Sequence, residues 1–146
     1  MINEFVSEAR SWIGTRFVHQ GRLKKSCGDR GGCDCIGLII GAADNVGITV
    51  KGRKLSQLDK RDYARVPDGE RLLREFREYL KEVAIDDIRE GDVLMFRFDK
   101  NPQHVGIASE YNGGVGVIHC YMQARGVVEH ELDSHWREKL VAVFRF

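Results

Sequence analysis

Cys35 has a type and a position suited to nucleophilic chemistry. It follows a Gly-rich stretch and Asp34, a residue type that commonly caps helices, so it is predicted to open a helix. Unpaired N–H groups and the positive end of the helix dipole favour thiolate there, and thiolate is the nucleophilic form of cysteine. The alternative is an inert buried thiol, which is the commoner role of a cysteine.

His104 and His119 are the candidate partners of this thiol. His104 opens the run His-Val-Gly-Ile, where a neutral imidazole at a sheet edge can accept a thiol proton and later protonate a leaving amine. His119 lies in the next β-type run, beyond a turn. Adjacent antiparallel strands would bring the rings together, so that His119 fixes the tautomer of His104. The alternatives are that His104 is a plain surface residue and that His119 is a half-buried histidine filling the sheet face.

The elements that must position these residues begin with helices. Apolar spacing predicts a helix over residues 3–13, a buried helix starting at Cys35, and a third helix from about 68 to 83. Gly37 and Gly41 lie one turn apart in the second helix. They are expected to let another backbone approach closely.

The second half of the sequence predicts strands. Residues 20–32 are expected to form a loop, and residues 49–67 a surface loop with short helical pieces. After residue 91, five short runs of β-type residues are separated by turn signals. Helices followed by a β-meander predict one α+β domain over residues 1–146, with the helices on one side of an antiparallel sheet or partial barrel.

Bulk composition limits the function classes. The 146 residues carry 23 basic and 22 acidic side chains. This near-zero net charge gives no indication of binding to a nucleic acid or an anionic membrane. The N-terminus lacks the layout of a secretory signal, and synthesis as a soluble cytoplasmic product is expected. The longest apolar run, residues 36–43, is far short of the ~20 residues that span a bilayer. Four cysteines are too few for a disulfide scaffold.

Four short motifs together resemble the NlpC/P60 family of cysteine peptidases. Residues 32–38, Gly-Cys-Asp-Cys-Ile-Gly-Leu, are similar to its nucleophile motif Asp-Cys-Ser-Gly-Leu. Residues 90–96 resemble its Gly-Asp-Leu strand, residues 104–107 its His-x-Gly-Ile, and residues 117–119 its Ile-His third member. The motifs occur in family order, and the match covers nearly the whole chain.

The resemblance implies a papain-like NlpC/P60 fold with N-terminal helices packed on a C-terminal antiparallel sheet. It implies Cys35 as nucleophile, His104 as base and His119 as orienting residue. The implied reaction is hydrolysis of peptidoglycan stem peptides, next to D-glutamate. No cofactor, metal, nucleic acid or membrane partner is expected.

A narrower resemblance points to the cell-wall peptidases of phage tails and gene transfer agents. Residues 14–20, the Cys-Asp-Cys pair of 33–35 and the ending from Trp136 to Phe146 carry it. It implies a virion tail component that contacts tail-tip or hub proteins and opens the host wall from the periplasmic side. Such delivery would explain a wall-cutting enzyme made without a signal peptide.

One departure from the family concerns the oxyanion. Phe17 occupies the position where the family commonly has a tyrosine, and phenylalanine cannot supply its hydroxyl. His19 or Gln20 is a candidate substitute, Asp34 is a further candidate for contact with substrate, and the Cys35 N–H is the remaining oxyanion donor.

A zinc site is the sharpest rival interpretation. Cys27, Cys33 and Cys35 with His119 or Cys120 would make a Cys₃His cluster. The spacing argues against it, because five residues and then one separate the three cysteines, whereas zinc knuckles favour two to four.

Two further rivals keep the fold and change the function. One is a structural tail component that has lost activity, which the phenylalanine at position 17 makes worth testing. The other is a different acyl transfer on the same fold, such as an amidase or a transacylase acting on lipid or amide substrates.

Overall fold

The computed structural model describes residues 2–63 and 70–146. The helices are α1 (Ile2–Ser11), α2 (Cys35–Asn45), α3 (Leu55–Leu58), α4 (Arg71–Tyr79) and α5 (Ser134–Lys139). The strands are β1 (Arg22–Leu23), β2 (Gly32–Cys33), β3 (Thr49–Val50), β4 (Arg53–Lys54), β5 (Lys81–Val83), β6 (Val93–Arg97), β7 (Pro102–Tyr111), β8 (Gly114–Tyr121), β9 (Gly126–Glu131) and β10 (Leu140–Arg145). In these described ranges, no helix has the length and apolarity needed to cross a membrane.

The centre of the fold is a six-stranded antiparallel sheet in the order β5-β10-β6-β7-β8-β9. The predicted α+β class is confirmed, and the sheet is open rather than closed into a barrel. The five predicted β-type runs correspond to β6, β7, β8, β9 and β10. One apolar cluster lies between the sheet and α1 and α2, and a second lies on the other face beside α5.

The two predicted N-terminal helices form with small changes in length. The amphipathic helix α1 buries Phe5, Val6 and Ala9 against the core. Helix α2 begins at Cys35, as predicted, and the Asp34 side chain caps it by accepting the Gly37 N–H. The local capping signal was sufficient to locate the start of α2.

The predicted third helix is too long at its C-terminal end. Helix α4 ends at Tyr79, and Lys81–Val83 form β5, which pairs with β10 in the register Val83↔Val143. The helical spacing of the sequence continues past Tyr79, but this segment lies along the free edge of β10, where pairing satisfies its backbone groups. Positions 68 and 69 of the predicted helix lie outside the described residues.

The two predicted loops contain more order than expected. The 20–32 segment supplies β1, and β2 begins at its end and pairs with it. The 49–67 segment forms the β3–β4 hairpin and helix α3, whose Leu55 is buried. Positions 64–67 of that predicted loop lie outside the described residues.

The two glycines of α2 accommodate different neighbours. A Cβ on Gly37 would collide with the backbone carbonyl of Gly21, which confirms the expected close approach of a backbone. A Cβ on Gly41 would instead collide with the Trp12 indole, a side chain that is 1% exposed. Gly41 therefore makes room for the ring that joins α1 to α2.

Replacing Gly41 by alanine is expected to destabilise the protein. Helix propensity alone would favour alanine by about 1 kcal/mol. Overpacking against a rigid, buried indole costs about 1–3 kcal/mol, so a net loss is expected. Urea unfolding would measure it. The matched control is Gly114→Ala, where a Cβ meets only the Tyr111 carbonyl oxygen at 3.8 Å. Equal stability changes in the two variants would contradict the packing argument.

Candidate active site

The start of α2 presents Cys35 to a cavity of about 300 Å³. Cys35 is half-buried at the first helical position, and His104 lines the same cavity from β7. The backbone N–H groups of Ile36 and Val105 interact with the Cys35 sulfur. Because Val105 follows His104 directly, β7 holds the predicted base beside the predicted nucleophile.

Three histidines form a continuous chain behind the cavity. His104 Nε2 lies 2.7 Å from His119 Nδ1, and His119 Nε2 lies 2.8 Å from His130 Nε2. They stand on the adjacent strands β7, β8 and β9, and Val117↔His130 and His119↔Val128 are register pairs. His119 and His130 are thus diagonal neighbours on one face. The predicted contact between His104 and His119 is present.

Sequence reasoning missed His130. His130 lies in the fourth of the five predicted β-type runs, residues 126–132, and no role is predicted for this histidine from the sequence. A signal was available, because a third histidine on the strand after His119 can reach it diagonally across the sheet.

Gly106 allows the close contact between strands β7 and β8. A Cβ there would fall against the side chains of Val117 and His119, which occupy the same face of the sheet. The glycine of the His-Val-Gly-Ile run therefore has a packing role beside the orienting histidine.

Aromatic rings enclose the histidine chain. Phe98 stacks on His104 at 5.1 Å between ring centroids, and Tyr121 stacks on His119 at 4.6 Å. The Trp136 ring lies 4.8 Å from His119. His104 and His119 are 3% and 0% exposed, so almost no water reaches either ring.

Burial keeps both inner histidines neutral. It lowers the pKa of His104 to about 3. Burial, followed by the repulsive effect of His104 and His130, lowers the pKa of His119 to about 2. Among the described residues, the ring contacts of His104 and His119 are with aromatic side chains and with other histidines.

Burial also dominates at the thiol. It raises the pKa of Cys35 to about 12, the Asp34 carboxylate adds to the rise, and the N–H groups of Val105 and Ile36 oppose it. This differs from the expectation that a helix start favours thiolate, because desolvation of the charge outweighs the helix terminus. The resting pair is therefore a neutral thiol beside a neutral imidazole.

The two buried neutral histidines are expected to make the fold acid-sensitive. Below the ordinary pKa of 6.5, an unfolded chain protonates both rings, while the folded chain does not until about pH 3 and 2. Unfolding then takes up protons, so stability falls as pH falls, by roughly 1.4 kcal/mol per pH unit for each ring. Urea unfolding between pH 6 and 5 should show uptake of nearly two protons. Uptake well below one would contradict neutral burial.

Asp34 binds four donors of the protein itself. One carboxylate oxygen accepts the Gly37 N–H at 2.8 Å and the Arg22 guanidinium at 2.9 Å. The other accepts the Gln20 N–H at 2.8 Å and the Tyr63 hydroxyl. With its lone-pair sites occupied in this way, Asp34 is suited to hold the loop against the start of α2 rather than to contact substrate.

Removing the Asp34 carboxylate is expected to destabilise the fold strongly. Asp34→Ala would leave one buried and three half-buried donors without this partner, and we expect a loss of about 3 kcal/mol. Asp133→Ala is the matched control, because Asp133 also caps a helix, α5, by accepting the Trp136 N–H, but its side chain is exposed. Loss of a cap alone costs about 1 kcal/mol. If chemical denaturation gave equal losses in unfolding free energy for the two variants, the stabilising role of the Asp34 hydrogen-bond network would be contradicted.

The cavity brings together some of the remaining candidates. Phe17 and His19 line it, together with Asp34, and the His19 ring packs edge-on to Tyr63 at 5.5 Å. Gln20 is not among the described residues that line the cavity. Its side-chain amide donates to the Tyr63 backbone carbonyl at 2.8 Å.

Tyr63 is a second residue that sequence reasoning missed. It lines the cavity and its hydroxyl also accepts from the Arg22 guanidinium at 2.8 Å. Arg22 in turn forms a bidentate pair with Asp59, at 2.7 and 3.0 Å. No local pattern marks Tyr63, because its partners lie 29 and 41 residues earlier in the chain.

The other cysteines surround the site without disulfides. Cys33 and Cys120 are buried, Cys27 is exposed, and all four cysteines are free thiols. The Cys120 thiol donates to the Cys33 carbonyl oxygen at 3.1 Å. Within residues 2–63 and 70–146, no group of three or more His, Cys, Asp or Glu side chains is arranged to hold a metal ion.

A model of the NlpC/P60 family matches residues 14–145. The chain belongs to the NlpC/P60 family. Members of this family are cysteine peptidases and amidases. No curated protein sequence matches the chain. The family membership expected from the motifs is confirmed, while the narrower phage-tail resemblance stays a prediction.

Solved structures share the NlpC/P60 fold of this chain. An NlpC/P60 family protein from Bacillus cereus ATCC 10987 is 18% identical with a TM-score of 0.65, over 99% of this chain and 40% of its own length. The P60 domain of an antigen from M. avium subspecies paratuberculosis is 16% identical with a TM-score of 0.62, and the match covers 98% of this chain and 91% of that one. An N-acetylmuramoyl-L-alanine amidase from Bacteroides uniformis ATCC 8492 is 8% identical with a TM-score of 0.53, and the match covers 98% of this chain and 96% of that one.

Proposed function

We propose that this NlpC/P60 chain is a cysteine peptidase of the peptidoglycan hydrolase kind, which cleaves stem peptides. The observation that carries the proposal is the shared cavity. Cys35 and His104 line it together, and His104 is backed by His119 at 2.7 Å. A thiol and an imidazole at one cavity, with the imidazole oriented from behind, have the arrangement that nucleophilic acyl transfer requires.

The proposed reaction starts from the neutral pair. His104 takes the Cys35 proton as the sulfur attacks the scissile carbonyl carbon, so that thiolate forms only when it is used. The tetrahedral intermediate collapses with transfer of the proton from His104 to the leaving amine. Water, deprotonated by His104, then attacks the thioester and restores the thiol and the free acid.

The oxyanion is proposed to bind at the start of α2. The Cys35 N–H stands in the first turn, where backbone N–H groups have no carbonyl partner within the helix. Phe17 lines the cavity without a polar group. His19 is the remaining side chain of the cavity, among the candidates from the sequence, that can donate to an oxyanion.

The scissile bond is proposed to lie next to D-glutamate of the stem peptide. The family resemblance of the four motifs supports this choice. An amide bond at the sugar end of the stem is the principal competing target, since one structural neighbour is an N-acetylmuramoyl-L-alanine amidase. At 8% identity that likeness supports the fold alone, so the bond must be found by experiment.

The biological setting is proposed to be a phage tail or a gene transfer agent. The resemblance over residues 14–20, 33–35 and 136–146 supports it. In this setting the protein is made in the producing cell, is carried on the particle beside tail-tip or hub proteins, and opens the wall of the recipient from the periplasmic side.

Digestion of isolated sacculi tests the enzymatic proposal. The purified protein under reducing conditions is expected to release soluble stem-peptide fragments, and mass spectrometry of their new ends identifies the bond. Ends at D-glutamate support the peptidase, and ends at the sugar acid would replace it by an amidase. No release from sacculi of any tested stem-peptide type would favour an inactive structural component.

Detection in purified particles tests the setting. Antibody against the chain should find it in intact virions or gene transfer particles, and crosslinking should join it to a tail protein. Its absence from particles that infect normally would overturn the tail assignment without affecting the enzymatic one.

A further inference from the structure

The hydrogen bonds of His130 determine which of its nitrogens carries the proton. His130 Nδ1 lies 2.8 Å from the Glu131 carbonyl oxygen. A carbonyl oxygen only accepts, so Nδ1 must donate, and in the neutral ring Nε2 is then an acceptor. His130 is half-buried on β9 and faces His119 through that nitrogen at 2.8 Å.

This assignment propagates along the chain of rings. With His130 neutral, its Nε2 accepts, so His119 Nε2 must donate to it, and His119 Nδ1 is left as an acceptor. His104 Nε2 must then donate to His119 Nδ1 at 2.7 Å. The remaining nitrogen of His104, Nδ1, carries a free lone pair, which is the form that a base for the Cys35 thiol requires.

We propose that His130 is a positioning residue that fixes the tautomers of His119 and His104. The inference rests on the proposed function and extends its site by one residue. It does not require His130 to touch substrate. Its effect passes through His119, which is 0% exposed and therefore has no water to satisfy its Nε2–H in place of His130.

The packing around the chain prevents the rings from compensating by rotation. Trp136 lies 4.8 Å from the His119 ring centroid and 5.5 Å from that of His130, and Tyr121 stacks on His119. Loss of the acceptor at position 130 would therefore leave His119 in place with an unpaired N–H. The population of the opposite tautomers would increase. In these, His119 Nδ1 donates to His104 Nε2, and His104 carries its proton on Nδ1.

Three variants test the proposal by activity. His130→Leu removes the acceptor, and kcat/KM for fragment release is expected to fall by about 10- to 100-fold, less than the full contribution of a general base. His130→Gln keeps a carboxamide oxygen that can accept the same N–H, and it should recover most of the loss. His135→Leu replaces an exposed histidine of α5 outside the chain of rings and should leave activity unchanged.

A second readout does not depend on activity. The ¹⁵N NMR shifts of the ring nitrogens should report a proton on Nε2 of His104 in the wild type, and a proton moved toward Nδ1 in His130→Leu. Thermal melting checks that the variants are folded. Unchanged tautomers in His130→Leu, or an equal loss in the Leu and Gln variants, would overturn the role of His130. An inactive wild type with the expected tautomers would overturn the proposed function alone.

Discussion

Replacement of Cys35 by alanine is expected to abolish release of stem-peptide fragments from sacculi. If Cys35 is the nucleophile, its removal takes away the sulfur that forms the acyl-enzyme, and the rate should fall by a factor on the order of 10⁴ to 10⁶. The neutral resting pair strengthens this expectation. With the thiol pKa raised to about 12 by burial and Asp34, the sulfur contributes to catalysis only through proton transfer to the base beside it.

The controls for Cys35→Ala separate chemistry from folding. Cys27→Ala removes an exposed thiol and should leave the rate unchanged. Cys35→Ser keeps the size and polarity of the side chain but is a far weaker nucleophile, so it should also be nearly inactive while melting close to the wild type. Substantial release by the Cys35→Ala protein, with the same scissile bond, would refute the nucleophile assignment.

Replacement of His104 by glutamine is expected to give the second largest loss. Glutamine can hydrogen-bond His119 but cannot take the thiol proton, so kcat/KM should fall by about 10² to 10⁴. The acid limb of the wild-type profile should lie well below the ordinary histidine value, because burial lowers the pKa of His104 to about 3. Activity is lost where this ring becomes protonated, so it should persist as the pH falls through 6.5 wherever the fold itself persists.

Alkylation provides an independent measure of the pair. Because the pKa of Cys35 is raised to about 12, its reaction with iodoacetamide should be slow at pH 7 and should rise steadily with pH. A rate that is already maximal below pH 7 would reveal a preformed thiolate–imidazolium pair and would contradict the neutral resting state. For the His104→Gln variant, the matched control is His135→Gln, because His135 is exposed and is not among the described residues that line the cavity.

The sequence by itself determined the elements that carry the site. The capping residue Asp34 and the apolar run behind it located the start of α2, because capping is a local interaction. The β-type runs and their turns predicted the meander that holds His104 and His119, because consecutive antiparallel strands pair as neighbours. These local signals, together with the ordered motifs, were enough for the α+β class and for the family.

Only the tertiary structure decided the features that depend on distant segments. Lys81–Val83 became a strand because the edge of β10, some 60 residues later, was available to it. Tyr63 contacts Asp34, 29 residues earlier in the chain. The sequence places His130 on the strand after His119, but only the observed register, with Val117 opposite His130, brings the two rings into diagonal contact. The protonation state of Cys35 and His104 also depends on the tertiary structure. Helix position alone favours thiolate, whereas the burial of the assembled site reverses that preference, because removing a charge from water outweighs one helix terminus.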